Sequence, residues 1–251
     1  MRNIWTIARR EYKAYFSSPI AYVVVFMILI AVGGLFVLNI VYSVAQSQTL
    51  WFPSPPPDAG IITGPLAFLL VLSTTALTIR LLAEEQRSGT LELMLTAPVR
   101  DWELIVGKWL GALLFVMTIL GVTLVIYPTT LNLMVEPGID KGIVFTGYLG
   151  VLLATAAFLA IGVAASAMFN NQVAVFFTNF GLFIVLWWLI GIPASVFPVG
   201  GQVFYYLDFS AHFLDTMRNG IIALSDIVYY LSLTALGLFM GSVAIEIRRW
   251  Q

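Results

Sequence analysis

Long apolar runs separated by short polar segments dominate the chain. Six of them, at 20–42, 62–82, 109–132, 144–168, 173–193 and 227–245, reach about the 20 residues that a helix needs to cross a hydrocarbon core of about 30 Å. Within such runs, for example residues 20–30, apolar and polar positions do not alternate, which excludes a membrane β-barrel. Backbone groups in lipid must bond within their own segment, so each run is predicted to be a helix. The expected fold is an all-α integral membrane protein of six transmembrane helices in a single domain over 1–251.

The first 19 residues have a different pattern. At about 100° per residue, Arg2, Arg9, Arg10 and Lys13 share a helix face with Asn3 and Thr6. Ile4, Trp5, Ile7, Ala8, Tyr12, Tyr15 and Phe16 take the other face, where Glu11 is the one intruder. This predicts an amphipathic helix lying flat in the interface, ended where Pro19 turns the chain into the membrane. The apolar run that follows is too long for a secretory signal, although Ser43-Val44-Ala45 has a small-x-small pattern.

Ten of the 12 Lys and Arg residues lie before the first span, around the segment between the second and third, or after the last, all on one side, and Lys141 and Arg218 lie on the other. Positive charge collects on the cytoplasmic side, so both termini and the segment 83–108 are expected inside. Outside, Pro53-Ser54-Pro55-Pro56-Pro57 reads as a stiff extended stretch. The segment 194–226 is long, semi-apolar and carries Asp208, His212, Asp215 and Arg218. It is expected to form short helices on or in the outer leaflet, with their backbone covered by protein.

Composition narrows the function. The chain is 60% hydrophobic and 10% charged, where soluble domains run at about 45–50% and about 25%. A net charge of -1 excludes a strongly basic nucleic-acid binder. With no cysteine and one histidine, disulfides, Cys-zinc sites, thiol nucleophiles and multi-histidine metal centres are excluded as well. Gly107-Lys108 is followed by Trp109 and lacks the upstream glycine and hydroxyl residue of a P-loop, so no ATPase site is expected in the chain. Glu84-Glu85 invites an intramembrane-protease reading, but no nearby histidine accompanies it to activate a water.

The predicted spans contain almost no charge, whereas ion-coupled carriers need buried ionisable groups on the pathway, so any transport must draw energy from elsewhere. Polar groups within them include Ser73, Thr74, Thr75 and Thr78 in the second span and Thr178 and Asn179 in the fifth. Of these, Ser73, Thr74, Thr178 and Asn179 are candidates for a translocation pathway, against the alternative of interhelical hydrogen bonding. Gly107-x-x-x-Gly111 and Gly237-x-x-x-Gly241 would let helices approach closely.

The distinctive segment is 83–99. Gly89 can break the helix leaving the second span, Thr90 can cap a new short helix, and Pro98 ends it. Leu91, Met94 and Leu95 form an apolar stripe at i, i+3, i+4, with Glu92 off it. Such a helix is either a docking knob for a partner or a loop helix packed back on the bundle.

The run from Glu85 through Gly89-Thr90-Leu91-Glu92, Leu95 and Pro98-Val99 to Gly107-Lys108 resembles the signature of ABC-2-type transporter permeases. Residues 15–22 and 213–230 resemble the gliding-motility-associated branch, close to the copper-enzyme-maturation permeases. The resemblance implies a permease of the bacterial inner membrane, an exporter paired with a second copy or a paralogous permease. It further implies separate cytoplasmic ATPase subunits that carry ATP and magnesium, and an auxiliary periplasmic partner is compatible with it. The coupling helix would then use Glu84, Glu85 and Arg87 for polar register and Gly89 and Thr90 for the turn. Leu91, Met94, Leu95 and Pro98 would fill an ATPase groove, beside Glu92. The competing reading is a membrane anchor that recruits a cytoplasmic partner without transport.

Overall fold

A computed structural model describes residues 2–49, 58–79, 81–82, 100–134, 138–197 and 200–249. The proline run 53–57 and the predicted coupling residues Glu84, Glu85, Arg87, Gly89, Thr90, Leu91, Glu92, Met94, Leu95 and Pro98 lie outside the described residues. Among the described residues the elements are helical throughout. We number them α1 (Arg2–Ser17), α2 (Pro19–Thr49), α3 (Gly60–Ile79), α4 (Asp101–Met134), α5 (Lys141–Met168), α6 (Gln172–Ile184), α7 (Ile192–Val196), α8 (Gly201–Leu207) and α9 (Leu224–Arg249). Six helical segments are long and apolar enough to cross a membrane, in α2, α3, α4, α5, α6 with its continuation to Ala194, and α9. Each overlaps one of the six predicted runs.

The break between α1 and α2 falls at Ser18, with Pro19 as the first residue of the next helix, where its missing N–H costs nothing. The third span starts earlier than hydropathy indicates. Residues 101–108, assigned from the sequence to the connecting segment, are the first two turns of α4. Helix formation there depends on end chemistry rather than apolarity. Glu103 Oε2 reaches back to accept from the Arg100 N–H at 3.2 Å, half of a capping box. At 34 residues and 1.5 Å each, α4 is about 51 Å long and overhangs a hydrocarbon core of about 30 Å.

α5 is the central helix, with 78% of its most apolar window buried against 17% for the first span. Its small residues make this possible, because helices in lipid associate by close packing rather than by a hydrophobic drive. A Cβ on Gly162 would sit 2.5 Å from Thr78 Oγ1 of α3, and one on Gly147 would sit 2.8 Å from Thr63. From the other side, a Cβ on Gly237 of α9 would meet the Ala160 backbone carbon at 2.7 Å. The Gly237-x-x-x-Gly241 spacing is thus a furrow in which α9 rides on α5.

The segment after α6 begins with a π-helical turn, Val185–Leu189, where Ile190 N–H bonds back to Val185 O at 2.9 Å. The wider turn leaves Leu186 O to accept from Phe209 N–H. Beyond α8 the chain tucks Phe209, Phe213 and Met217 into the core beside α5 and α9. Its carbonyls are covered by side-chain donors. Tyr229 Oη donates to Leu207 O, Tyr230 Oη to Phe209 O and His212 Nε2 to Tyr206 O, each at 2.8 Å. His212 Nδ1 in turn lies 2.8 Å from Asp226 Oδ1, which joins this segment to the first turn of α9.

Candidate functional site

The structure describes both stems of the segment 83–99, and the two meet at the seam between α1 and α4. Two glycines build that seam. A Cβ on Gly107 would lie 2.8 Å from Ile7 Cβ, and one on Gly111 would lie 2.6 Å from Glu11 Cβ and 2.9 Å from Ala8 O. Any larger residue would hold the helices apart. The Gly107-x-x-x-Gly111 pair therefore receives α1, and not another span. Tyr15 stacks on Phe115 further along, with ring centroids 4.8 Å apart. The apolar face of α1 that the sequence assigned to the bilayer interface is largely used on α4, while Trp5 stays exposed. The physical reason is the furrow, which lets backbone meet backbone and gives more contact than lipid tails do.

Glu11, the intruder on that face, is explained by Lys108. The Lys108 side chain is fully buried at 0% exposure, and its Nζ lies 3.1 Å from Glu11 Oε1, 97 residues away in sequence. Arg10 Nη2 also reaches Glu11 Oε1, at 2.8 Å. Burial pushes the Glu11 carboxyl up, and Lys108 with Arg10 more than offsets it, so it titrates below its ordinary value of 4.5. A buried cation must be paired and hydrogen-bonded, and Lys108 finds its second acceptor at Leu81 O, 2.6 Å away.

That second contact is at the stem. Leu81 and Leu82, buried at the end of α3, are the last described residues before the segment 83–99. Lys108 holds Leu81 O, Ser166 Oγ of α5 accepts from Leu82 N–H at 3.1 Å, and Tyr15 Oη of α1 donates to Leu77 O at 3.1 Å. Cationic and hydroxyl donors on the closing carbonyls suit the negative end of a helix dipole. At the other stem, Glu103 Oε2 accepts from Arg100 N–H and from Asn3 Nδ2, both at 3.2 Å. Both ends of the segment are thus pinned to α1, and through it to α3, α4 and α5.

No group in this network is placed as a nucleophile or a general base. Among the described residues, no cluster of three or more His, Asp or Glu could hold a metal ion. The network's charge-assisted bonds are short and strong, and with the Ser166 bond they tie the two stems to α1, α4 and α5.

The pathway candidates separate. Ser73 Oγ and Thr74 Oγ1 donate to carbonyls of their own helix, Leu69 O and Val71 O, each at 2.6 Å. Thr74 O accepts from Thr78 Oγ1, which accepts in turn from buried Asn179 Nδ2 at 3.1 Å. With Gly162 against Thr78, this is a polar contact joining α3, α5 and α6. Thr178, about 100° further round α6, is half-buried. Sequence reasoning singled out Lys108 as part of a motif and Glu11 as an anomaly, and did not connect them. The roles of Asn3, Tyr15, Ser166 and Glu103 at the stems were not read from the sequence, since each involves a hydrogen bond to a distant element.

Residues 5–207 match the family described as "ABC-2 family transporter protein". A relative in Pseudomonas aeruginosa, the "Probable ABC transporter permease protein NosY", is 30% identical over 127 residues, which are 48% of this chain and 43% of that protein. The matched stretch thus spans less than half of the relative's length. With six apolar helices of spanning length and a family match over most of its residues, the chain is a multi-pass membrane protein that belongs to the ABC-2 transporter family.

Proposed function

We propose that this chain is the membrane-spanning permease subunit of an ATP-binding-cassette transporter, an exporter working by alternating access. Separate cytoplasmic ATPase subunits bind ATP and magnesium, and the segment 83–99 is the coupling element that docks on them. The observation that carries this reading is the pinning of both stems by Glu11, Lys108 and Leu81 O on one side and Asn3, Glu103 and Arg100 on the other. A push on the docked segment reaches four helices at once.

In this reading Leu91, Met94, Leu95 and Pro98 fill the ATPase groove, and Gly89 and Thr90 set the turn. Glu84, Glu85 and Arg87 keep register, with Glu92 on the solvent side of the stripe. The uneven distribution of Lys and Arg supports cytoplasmic termini and an inner-membrane location. The scarcity of charge in the spans supports an external energy source. A second copy or a paralogous permease completes the pathway, an auxiliary periplasmic subunit is compatible with it, and the gliding-motility-associated branch remains the reading of residues 15–22 and 213–230.

The test uses the absence of cysteine. A single cysteine at Thr90, crosslinked in native membranes with a short reagent, is expected to capture an ATPase subunit identified by mass. Leu95→Asp in the same background is expected to abolish capture, because its carboxylate would be buried without a partner. Efficient labelling with capture of an unrelated protein would favour the anchor reading instead.

A further inference from the structure

We propose that the groove between α1 and α4 binds the headgroup of an anionic phospholipid. The groove measures about 510 Å³ and lies on the open side of the α1–α4 seam, opposite the Glu11–Lys108 pair. That volume falls within the range of small-ligand sites, about 300–1,000 Å³. Its surfaces are sorted by polarity. Arg9 and Lys13 form the cationic rim, both exposed. Their i, i+4 spacing sets the two Cβ atoms about 5–6 Å apart, so their side chains can converge on one phosphate. Among the described residues neither has a carboxylate partner, in contrast to Arg10 and Lys108, which both engage Glu11. No acidic side chain among the described residues lines the groove.

Between the helices, Tyr12 Oη donates to Thr118 Oγ1, and Thr118 Oγ1 donates to Leu114 O, each at 3.0 Å, so these hydroxyls tie α1 to α4 and leave the binding of a headgroup to the two cations. Met117 of α4, exposed at 47%, and Trp5 of α1, exposed at 57%, supply the apolar wall along which an acyl chain would run. A soluble anion would use the rim and leave this wall in water. A zwitterionic lipid would use the wall but bring its own cation beside the phosphate, adding no net negative charge to the rim. Only an anionic amphiphile matches every surface, and the leaflet around the start of α4 offers it at high local concentration. The two unpaired cations are the kind of basic pocket beside a spanning helix that retains anionic headgroups. This inference is independent of the coupling role proposed for the segment 83–99.

The experiment exploits Trp5. The full chain is reconstituted in phosphatidylcholine vesicles carrying increasing fractions of acyl-brominated phosphatidylglycerol or acyl-brominated phosphatidylcholine, and tryptophan quenching is recorded. Subtracting the same titration of Trp5→Phe isolates the groove from the other tryptophans. With two basic groups engaged, half-quenching is expected at roughly a 30-fold lower fraction of the anionic lipid, and Arg9→Gln or Lys13→Gln should each reduce that preference about fivefold. Arg10→Gln, a paired cation outside the groove, should leave it unchanged. Equal quenching by both lipids overturns the proposal, as does a preference that survives Arg9→Gln with Lys13→Gln. An equal loss on Arg10→Gln would assign the effect to general basicity, and full relief of quenching by millimolar glycerol phosphate to a free-phosphate site; either result overturns the proposal as well.

Discussion

The Glu11–Lys108 pair makes an asymmetric and quantitative prediction. Lys108 is fully buried, while Glu11 keeps 12% of its side chain exposed and has Arg10 at 2.8 Å. Glu11→Gln therefore leaves a buried ammonium without this carboxylate, which costs about 3–5 kcal/mol for a fully buried pair. Because Lys108 retains Leu81 O, the lower end, about 3 kcal/mol, is expected. Lys108→Met removes the charge, leaves Glu11 with Arg10, and orphans one carbonyl for about 1–3 kcal/mol. The double variant should then lose only about 2–4 kcal/mol, less than the sum of the singles by a coupling of about 2 kcal/mol. Loss of the monodisperse size-exclusion peak on heating in detergent would read this out. A loss of about 3 kcal/mol is roughly 6–12 °C for a chain of this size. The pH dependence has a fixed sign. Glu11 titrates below 4.5 when folded, so its contribution is complete above pH 4.5 and is lost as pH falls through the folded value. Glu11→Gln should lack this acid limb. A double variant as unstable as the sum of the singles would refute the pairing argument.

Other outcomes follow from local packing. Gly237→Val places a Cβ 2.7 Å from the Ala160 backbone carbon, which cannot yield, and should cost at least about 1–3 kcal/mol. Gly34→Ala, with nothing within 4 Å, should be neutral or slightly stabilising in the same thermal assay. His212→Leu removes the donor to Tyr206 O and the bond to Asp226, which should raise hydrogen exchange in residues 203–214 by about 10–100-fold and leave α4 protected. Unchanged exchange there would show that the segment is held by Phe209 and Phe213 alone.

Much of this architecture was legible from hydropathy because the bilayer acts on each segment separately. A run near 20 apolar residues has one way to satisfy its backbone, so all six spans could be placed without knowing their neighbours. The Ser18-Pro19 break and the two Gly-x-x-x-Gly pairs were legible for the same reason, since ring closure at proline and the missing Cβ at glycine are properties of single residues, whereas Gly147 and Gly162 were not singled out. The start of α4 was not, since Asp101–Lys108 carries three charges in eight residues and its helicity rests on the Glu103 cap and on packing against α1.

Partner choice belongs to the tertiary structure. All six spans are similarly apolar, so their composition does not say that α5 lies at the centre with α3 and α9 against it, or that Gly107 and Gly111 receive α1. That depends on which furrow fits which ridge. Glu11 looked like a flaw in an amphipathic pattern until folding brought Lys108 and Leu81 O to it. A charge removed from water requires a countercharge, but electrostatics acts through space, and no local pattern in the chain names the residue 97 positions away that supplies it.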